Sequence, residues 1–329
     1  MNGGTNDRSP FNDMNLETNR RQFLAASGSA LAGACLAPCQ TFAADKTAEP
    51  FIDIHQHPGF KGRPDDKVLA HQRRMGPTLS FILPAGTPVN LPSTHNGKKN
   101  GLAAGCSTVE AAYQLAQAHP KEIRFFANEV PDHPDAKKNL EKYLKLGAIG
   151  IGEQKFNLAI DSKPMFQLYE IAREFNVPVL LHFQTGSYNH GIERMHQVLE
   201  KYPTVNFIGH AQTFWGHIDK NHDPKAMYPT GKVTPGGVSD RLLADYPNMY
   251  GDHAAGSGLN ALLRDEEHAV GFLERHQDKL MFGSDCYDTV GAGPGCRGAN
   301  MRKALTRLAP TKAVLRKLLY GNAAKLFRI

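Results

Sequence analysis

The chain has 329 residues, 41% of them apolar, enough for one large domain or two smaller ones with a sizeable core. No apolar run approaches the roughly 20 residues of a membrane span, and no short-period repeat is visible. The net charge of +6 comes from scattered lysines and arginines, without the basic block of a nucleic-acid footprint, so it reads as general surface charge that favours anionic substrates.

The N-terminus reads as a leader. Arg20-Arg21 and Phe23-Leu24 precede a small-residue stretch that closes with a cleavage candidate around Ala43-Ala44. This pattern predicts twin-arginine export, which places the mature protein outside the cytoplasm, in a periplasm or its equivalent. Lipid attachment at Cys35 is the weaker alternative, because Ala stands three positions before it. Residues 1–44 are therefore set apart from the fold, and 45–329 are expected to form a single domain. Cleavage leaves Cys106, Cys286 and Cys296, an odd number that is no disulfide framework. A Cys286–Cys296 bridge is compatible with an oxidising compartment, and no C-x-x-C spacing marks a thiolate metal site.

Short apolar runs then alternate with amphipathic stretches. Strands are predicted at 50–55, 77–86, 123–130, 148–156, 177–184, 205–211, 248–254 and 279–285. Helical patterns fall between them, with Ser107 or Thr108 capping one and a single helix expected near 258–277. Several strands are almost continuously apolar, as buried parallel strands are. Eight such units predict a (β/α)₈ TIM barrel. A doubly wound sheet would carry a glycine-rich turn after its first strand, and here His-Gln-His-Pro stands in that place.

The reactive side chains cluster at strand ends: His55 and His57 on the first, Glu153 and Lys155 on the fourth, His182 on the fifth, His210 on the sixth, Asp252 and His253 on the seventh, Asp285 on the eighth. In a closed parallel barrel these ends meet at one mouth, where active sites of this fold lie. Along the first strand His55 and His57 are expected on one face with Asp53 below them. Three imidazoles and a carboxylate form a site for a divalent ion, Zn²⁺ first, with Mn²⁺ or Fe²⁺ as alternatives. Such an ion lowers the pKa of bound water and polarises a carbonyl. His55, His57, His182 and Asp285 are the expected ligands. His210 is the expected general acid/base or second-ion ligand, and Asp285 also a proton acceptor. Glu153 either bridges a second ion, holds substrate or pairs with Lys155; a carbamylated Lys155 is a further option. His253 is left between substrate contact and loop residue, and Trp215 between pocket wall and packing. His217 and His222 are expected in a solvated loop, and Cys286 packed against the rim rather than acting as a nucleophile.

Taken together, "DIHQH", "VLLHFQ", "FIGHA", "LMFGSDCYD" and "YGNAAKLF" resemble the amidohydrolase superfamily over 50–329, in particular its aminocarboxymuconate-semialdehyde decarboxylase-like branch. The resemblance implies one divalent ion on His55, His57, His182 and Asp285, with His210 as acid/base. "AIGIGEQKF" is similar to the glutamate-bearing strand of TatD-type hydrolases, which implies a second ion on Glu153. The expectation is a metal-dependent hydrolase of a small-molecule amide, ester or lactone, with a metal-dependent carboxy-lyase as the alternative. Long loops after the second and sixth strands are expected to enclose the substrate, and the sequence allows a homodimer.

Overall fold

The structure is a computed structural model and describes residues 49–99 and 101–329. The leader, its cleavage candidate and Cys35 lie outside the described residues. Eight strands alternate with helices along the chain: β1 (Ile52–Gln56), β2 (Leu79–Ile82), β3 (Ile123–Phe125), β4 (Ile151–Gln154), β5 (Val179–His182), β6 (Phe207–His210), β7 (Met249–His253) and β8 (Leu280–Phe282). All paired neighbours are parallel, in the order β1-β2-β3 and β4 through β8. Two seams close these arcs into a barrel. At one, the Ala127 N–H donates to the Gly150 carbonyl and the Gly152 N–H to the Ala127 carbonyl, each at 2.9 Å. At the other, the Asp285 N–H donates to the His55 carbonyl at 2.8 Å. The predicted (β/α)₈ barrel is thus the observed fold.

Alternation sorts the apolar side chains into two layers. Ile52, Ile54, Phe81, Leu180, Ile208 and Met281 fill the barrel interior. Phe327, on the last helix (Asn322–Phe327), packs its ring 4.7 Å from Phe81 and 5.7 Å from Phe126 and plugs the end opposite the mouth. Val179, Leu181, Phe207, Leu280 and Phe282 face the surrounding helices instead.

Two irregularities reset this alternation where it matters. In β1, Asp53 pairs with Ser80 and Gln56 with Ile82, so β1 spends one more residue than its partner. Such a bulge turns the residues beyond it to the other face. Asp53 therefore does not lie under the histidines. It faces outward, accepting from Gln72 at 2.9 Å and from the Ser284 hydroxyl at 2.6 Å, while His55 and His57 turn into the mouth. The same count recurs in β4, where Ile151 pairs with Val179 and Gln154 with Leu181. Ile151 packs outward and Glu153 inward.

Elsewhere the single helix expected near 258–277 is two, Ala255–Leu263 and Glu266–Arg275. Asp265 breaks it, its carboxylate accepting from the His268 N–H and capping the second helix. The loop after β2 crosses the barrel end: its Ser93 carbonyl accepts from the Asn157 N–H at 2.7 Å, and His95 Nε2 meets the Ser187 carbonyl at 2.9 Å. The segment after β6 opens with a helix (Ala211–Gly216) and ends in another (Val238–Asp245). Its His217 and His222 are half-buried, ring against ring at 4.7 Å, rather than solvated.

Candidate metal centre at the barrel mouth

β1 delivers two imidazoles with their orientations fixed from behind. His57 Nδ1 sits 2.7 Å from the Leu83 carbonyl, and His55 Nδ1 sits 2.6 Å from Asp252 Oδ2. With a carbonyl or carboxylate on Nδ1, Nε2 is the nitrogen left to face a cation. Both Nε2 atoms turn to the same space, 3.0 Å apart.

Glu153 occupies the centre of that space. Its Oε2 lies 3.4 Å from His57 Nε2 and 3.7 Å from His55 Nε2. Its Oε1 contacts His182 Nδ1 and lies 3.7 Å from His210 Nε2. The His182 ring is steadied from its other side by Gln184 Oε1, 3.1 Å from Nε2. Asp285 closes the ring of groups, 3.4 Å from His57 Nε2 and 3.8 Å from His210 Nε2. It holds a left-handed backbone, φ 43°, unusual for a residue other than glycine.

All six sequence-derived site residues therefore meet. The ligating atoms fall into overlapping groups, each within 4.8 Å: His55, His57 and Glu153 on one side, and Glu153, His182 and His210 on the other. The resemblance implied His182 beside His55 and His57; here Glu153 stands between them.

Asp252 was recognised as a strand end but given no role. It is fully buried, and its Oδ2 lies 2.6 Å from His55 Nδ1 and 3.1 Å from His210 Nδ1. Its place at the C-terminal end of β7, in line with the other strand-end residues, was the available signal. His253, beside it, faces away from the mouth. It is buried, stacked 4.0 Å from Trp215 at 14°, and burial lowers its pKa to about 3. His253 is thus no substrate contact, and Trp215 packs rather than lining the pocket: its Nε1–H donates to the Asp252 carbonyl at 3.0 Å.

The electrostatics suit a cation. Burial alone would push the Glu153 carboxyl up, but the His182 imidazole, with His55 and Lys155, holds it well below the usual carboxylate range. Burial also raises Asp285, and the His57 hydrogen bond and the His55 charge outweigh it, again to the low side. Burial and the Lys155 charge bring His182 down to about 4, neutral and able to ligate. Glu153 Oε2, Asp285 Oδ1 and His210 Nε2 are buried with no hydrogen-bond partner. Buried polar atoms are almost always satisfied, and these orphans border one cluster of imidazoles and carboxylates, so the residues present fit a divalent ion. Burial disfavours the Lys155 ammonium, but Glu153 and Asp285 outweigh it and keep it protonated, its Nζ 5.6 Å from the Tyr188 ring. Lys155 is read as a cation at the mouth.

The amidohydrolase family model matches residues 52–329. This chain belongs to the amidohydrolase family. Members of this family use divalent metals, in accord with the donor set above. The amidohydrolase resembles several solved structures in fold. One is 5-carboxyvanillate decarboxylase from Sphingomonas paucimobilis, at 13% identity and TM-score 0.55, covering 86% of this chain and 100% of that one. A probable 2-pyrone-4,6-dicarboxylic acid hydrolase from Acinetobacter baumannii, with citric acid bound, shows 14% identity and TM-score 0.54, covering 85% and 99%. A dihydroxybenzoic acid decarboxylase from Polaromonas sp. JS666, with bound manganese and the inhibitor 2-nitroresorcinol, shows 15% identity and TM-score 0.55, covering 85% and 97%. At these identities the likeness is one of barrel alone. Comparison with curated proteins gave no match.

Proposed function

We propose that this amidohydrolase is a metal-dependent hydrolase that cleaves an amide, ester or lactone carbonyl of a small molecule. One observation carries the reading. Glu153 turns one oxygen to His55 and His57 and the other to His182 and His210. A carboxylate shared in this way suits a bridge between two ions, with Zn²⁺ the first expectation and Mn²⁺ or Fe²⁺ the alternatives. Divalent ions held there would supply Lewis acidity toward an attacking water and the substrate carbonyl.

The chain's own residues do the rest. His55 and His57 are held by Asp252 and the Leu83 carbonyl, so their Nε2 atoms stay aimed without reorganisation. Asp285 Oδ1 is the proton acceptor, and the same oxygen returns the proton to the leaving atom. His210 Nε2, level with His182 across β5 and β6, acts with it as a ligand rather than as a free acid. Lys155 Nζ offers a cation for an anionic group of the substrate.

Elemental analysis tests the metal count. Counted with Cys286 and Cys296 replaced by serine, about two ions per chain, falling to one or fewer in Glu153→Gln, supports the bridge; one ion in both forms overturns it. The carboxy-lyase reading is favoured by Lys155, a cation placed for a substrate carboxylate, and by the decarboxylases among the similar structures. Turnover of a lactone and carboxylic-acid panel in ¹⁸O-water separates the two: hydrolysis puts label into the organic product, whereas decarboxylation releases CO₂ and leaves the organic product unlabelled.

Export rests on the Arg20-Arg21 leader alone. Cell fractionation of the full chain tests it: Arg20→Lys/Arg21→Lys is expected to leave the protein in the cytoplasm.

A further inference from the structure

Among the described residues, one group of metal-ligating side chains lies outside the barrel mouth: His71, Cys286 and Cys296. The three come from different elements. His71 belongs to the helix Asp65–Met75, Cys286 to the segment after β8, and Cys296 is the N-cap of the helix Arg297–Leu308. All three are buried, at 0%, 1% and 0% exposure. Both thiols are free, with Sγ atoms 4.0 Å apart, and His71 Nε2 lies 3.4 Å from Cys296 Sγ.

These separations have a chemical meaning. Tetrahedral zinc with its usual bond lengths has a sulfur–sulfur edge of about 3.8 Å and a sulfur–nitrogen edge of about 3.6 Å. The observed pair brackets those values. Asp288 Oδ2 lies 3.8 Å from His71 Nε2. The Ala299 N–H points at Cys296 Sγ from the helix N-terminus, at 3.4 Å. The His71 Nδ1 atom is buried with no hydrogen-bond partner.

We propose that His71, Cys286 and Cys296 form a second, structural metal site for a borderline-soft divalent cation of the zinc class. Its place explains its use. The segment from 283 to 296 carries Asp285 to the mouth and runs along the seam between β8 and β1, where a single strand-like hydrogen bond, Asp285 N–H to the His55 carbonyl, joins the two. An ion there ties that segment to the helix after β1 and fixes Asp285 from behind. This assignment is independent of the chemistry at the mouth, whose donors are imidazole and carboxylate only.

Cobalt substitution of the full chain tests it. Thiolate-bound Co²⁺ gives an intense near-ultraviolet charge-transfer band that imidazole and carboxylate ligands do not. The wild-type protein is expected to show the band. Cys35→Ser/Cys39→Ser, which removes the leader thiols, is expected to keep it. Cys286→Ser/Cys296→Ser is expected to lose the band and one equivalent of metal while retaining the weak visible bands of cobalt at the mouth. No band in the cobalt-loaded wild type overturns the proposal, and that measurement depends on no variant. So does its disappearance with the leader cysteines alone. A non-reduced mass lower by two hydrogens, with Cys286 and Cys296 linked in peptide mapping of the protein as purified, also overturns it.

Discussion

Asp252 Oδ2 lies 2.6 Å from His55 Nδ1, although the two residues are 197 positions apart in the chain. The same oxygen lies 3.1 Å from His210 Nδ1, so one buried carboxylate orients His55 and stands within reach of a second imidazole across Glu153. Asp252→Asn keeps the shape and removes the charge. Loss of such an orienting partner costs about 10–100-fold in metal affinity or activity. Metal titration of the chelator-treated variant is the check, and affinity equal to wild type would refute the orienting role.

Gly283 makes this contact geometrically feasible. A Cβ there would fall 2.3 Å from Asp252 Oδ1 and 2.9 Å from His55 Cβ. Both neighbours are buried and pinned, so neither can give way without moving the centre. Gly283→Ala is expected to destabilise by about 2 kcal/mol, as overpacking does, and to lower turnover together with metal content. Denaturant unfolding and metal analysis on one preparation show whether the two losses go together.

At the other end of the barrel Phe327 separates stability from function. Its ring closes the interior against Phe81 and Phe126, remote from the mouth residues. Phe327→Ala is expected to cost about 3 kcal/mol by leaving a cavity. Turnover per folded, metal-loaded molecule should stay at the wild-type level. A large fall in kcat would mean that the plug shapes the mouth as well.

Acid sensitivity has one source well away from the centre. Burial would raise the Asp240 carboxyl, but the His276 ring at 2.6 Å, the Gly236 N–H and Arg275 bring it down to about 2. A carboxyl lower in the folded state than in the unfolded chain stabilises above the unfolded value of about 4 and loses that contribution as pH falls toward 2. Asp240→Asn should therefore cost about 1–2 kcal/mol at pH 7 once solvent screening is allowed for. The gap to wild type should shrink as acid titrates Asp240. Unfolding curves at pH 7 and at pH 3 test the sign: a gap that widens in acid would contradict it.

Much of the site was legible because the barrel converts order along the chain into position. Once eight strands alternate with helices, any reactive residue at a strand's C-terminal end lands on one rim, and His55, His57, Glu153, His182, His210 and Asp285 could be gathered from the sequence on that rule. The rule says nothing about which way a side chain turns after an irregularity. Simple alternation put Asp53 beneath His55, whereas the bulge sends it outward to Gln72 and Ser284. Glu153 reaches the centre through the matching irregularity in β4. No spacing motif could pair His71 with Cys296, 225 residues apart, because they meet only where the first helix packs against the last segment of the barrel.

The sequence by itself determined the strand–helix repeat, the closed parallel sheet and the inventory of imidazoles and carboxylates at its mouth, because those follow from periodicity and from which residues end each strand. Tertiary structure alone decided that Glu153 divides the histidines into two groups, that Asp252 orients His55 and lies within reach of His210, and that His253 turns away against Trp215. These outcomes depend on bulges and on contacts between elements far apart in the chain, whose cost or benefit exists only once the sheet has closed.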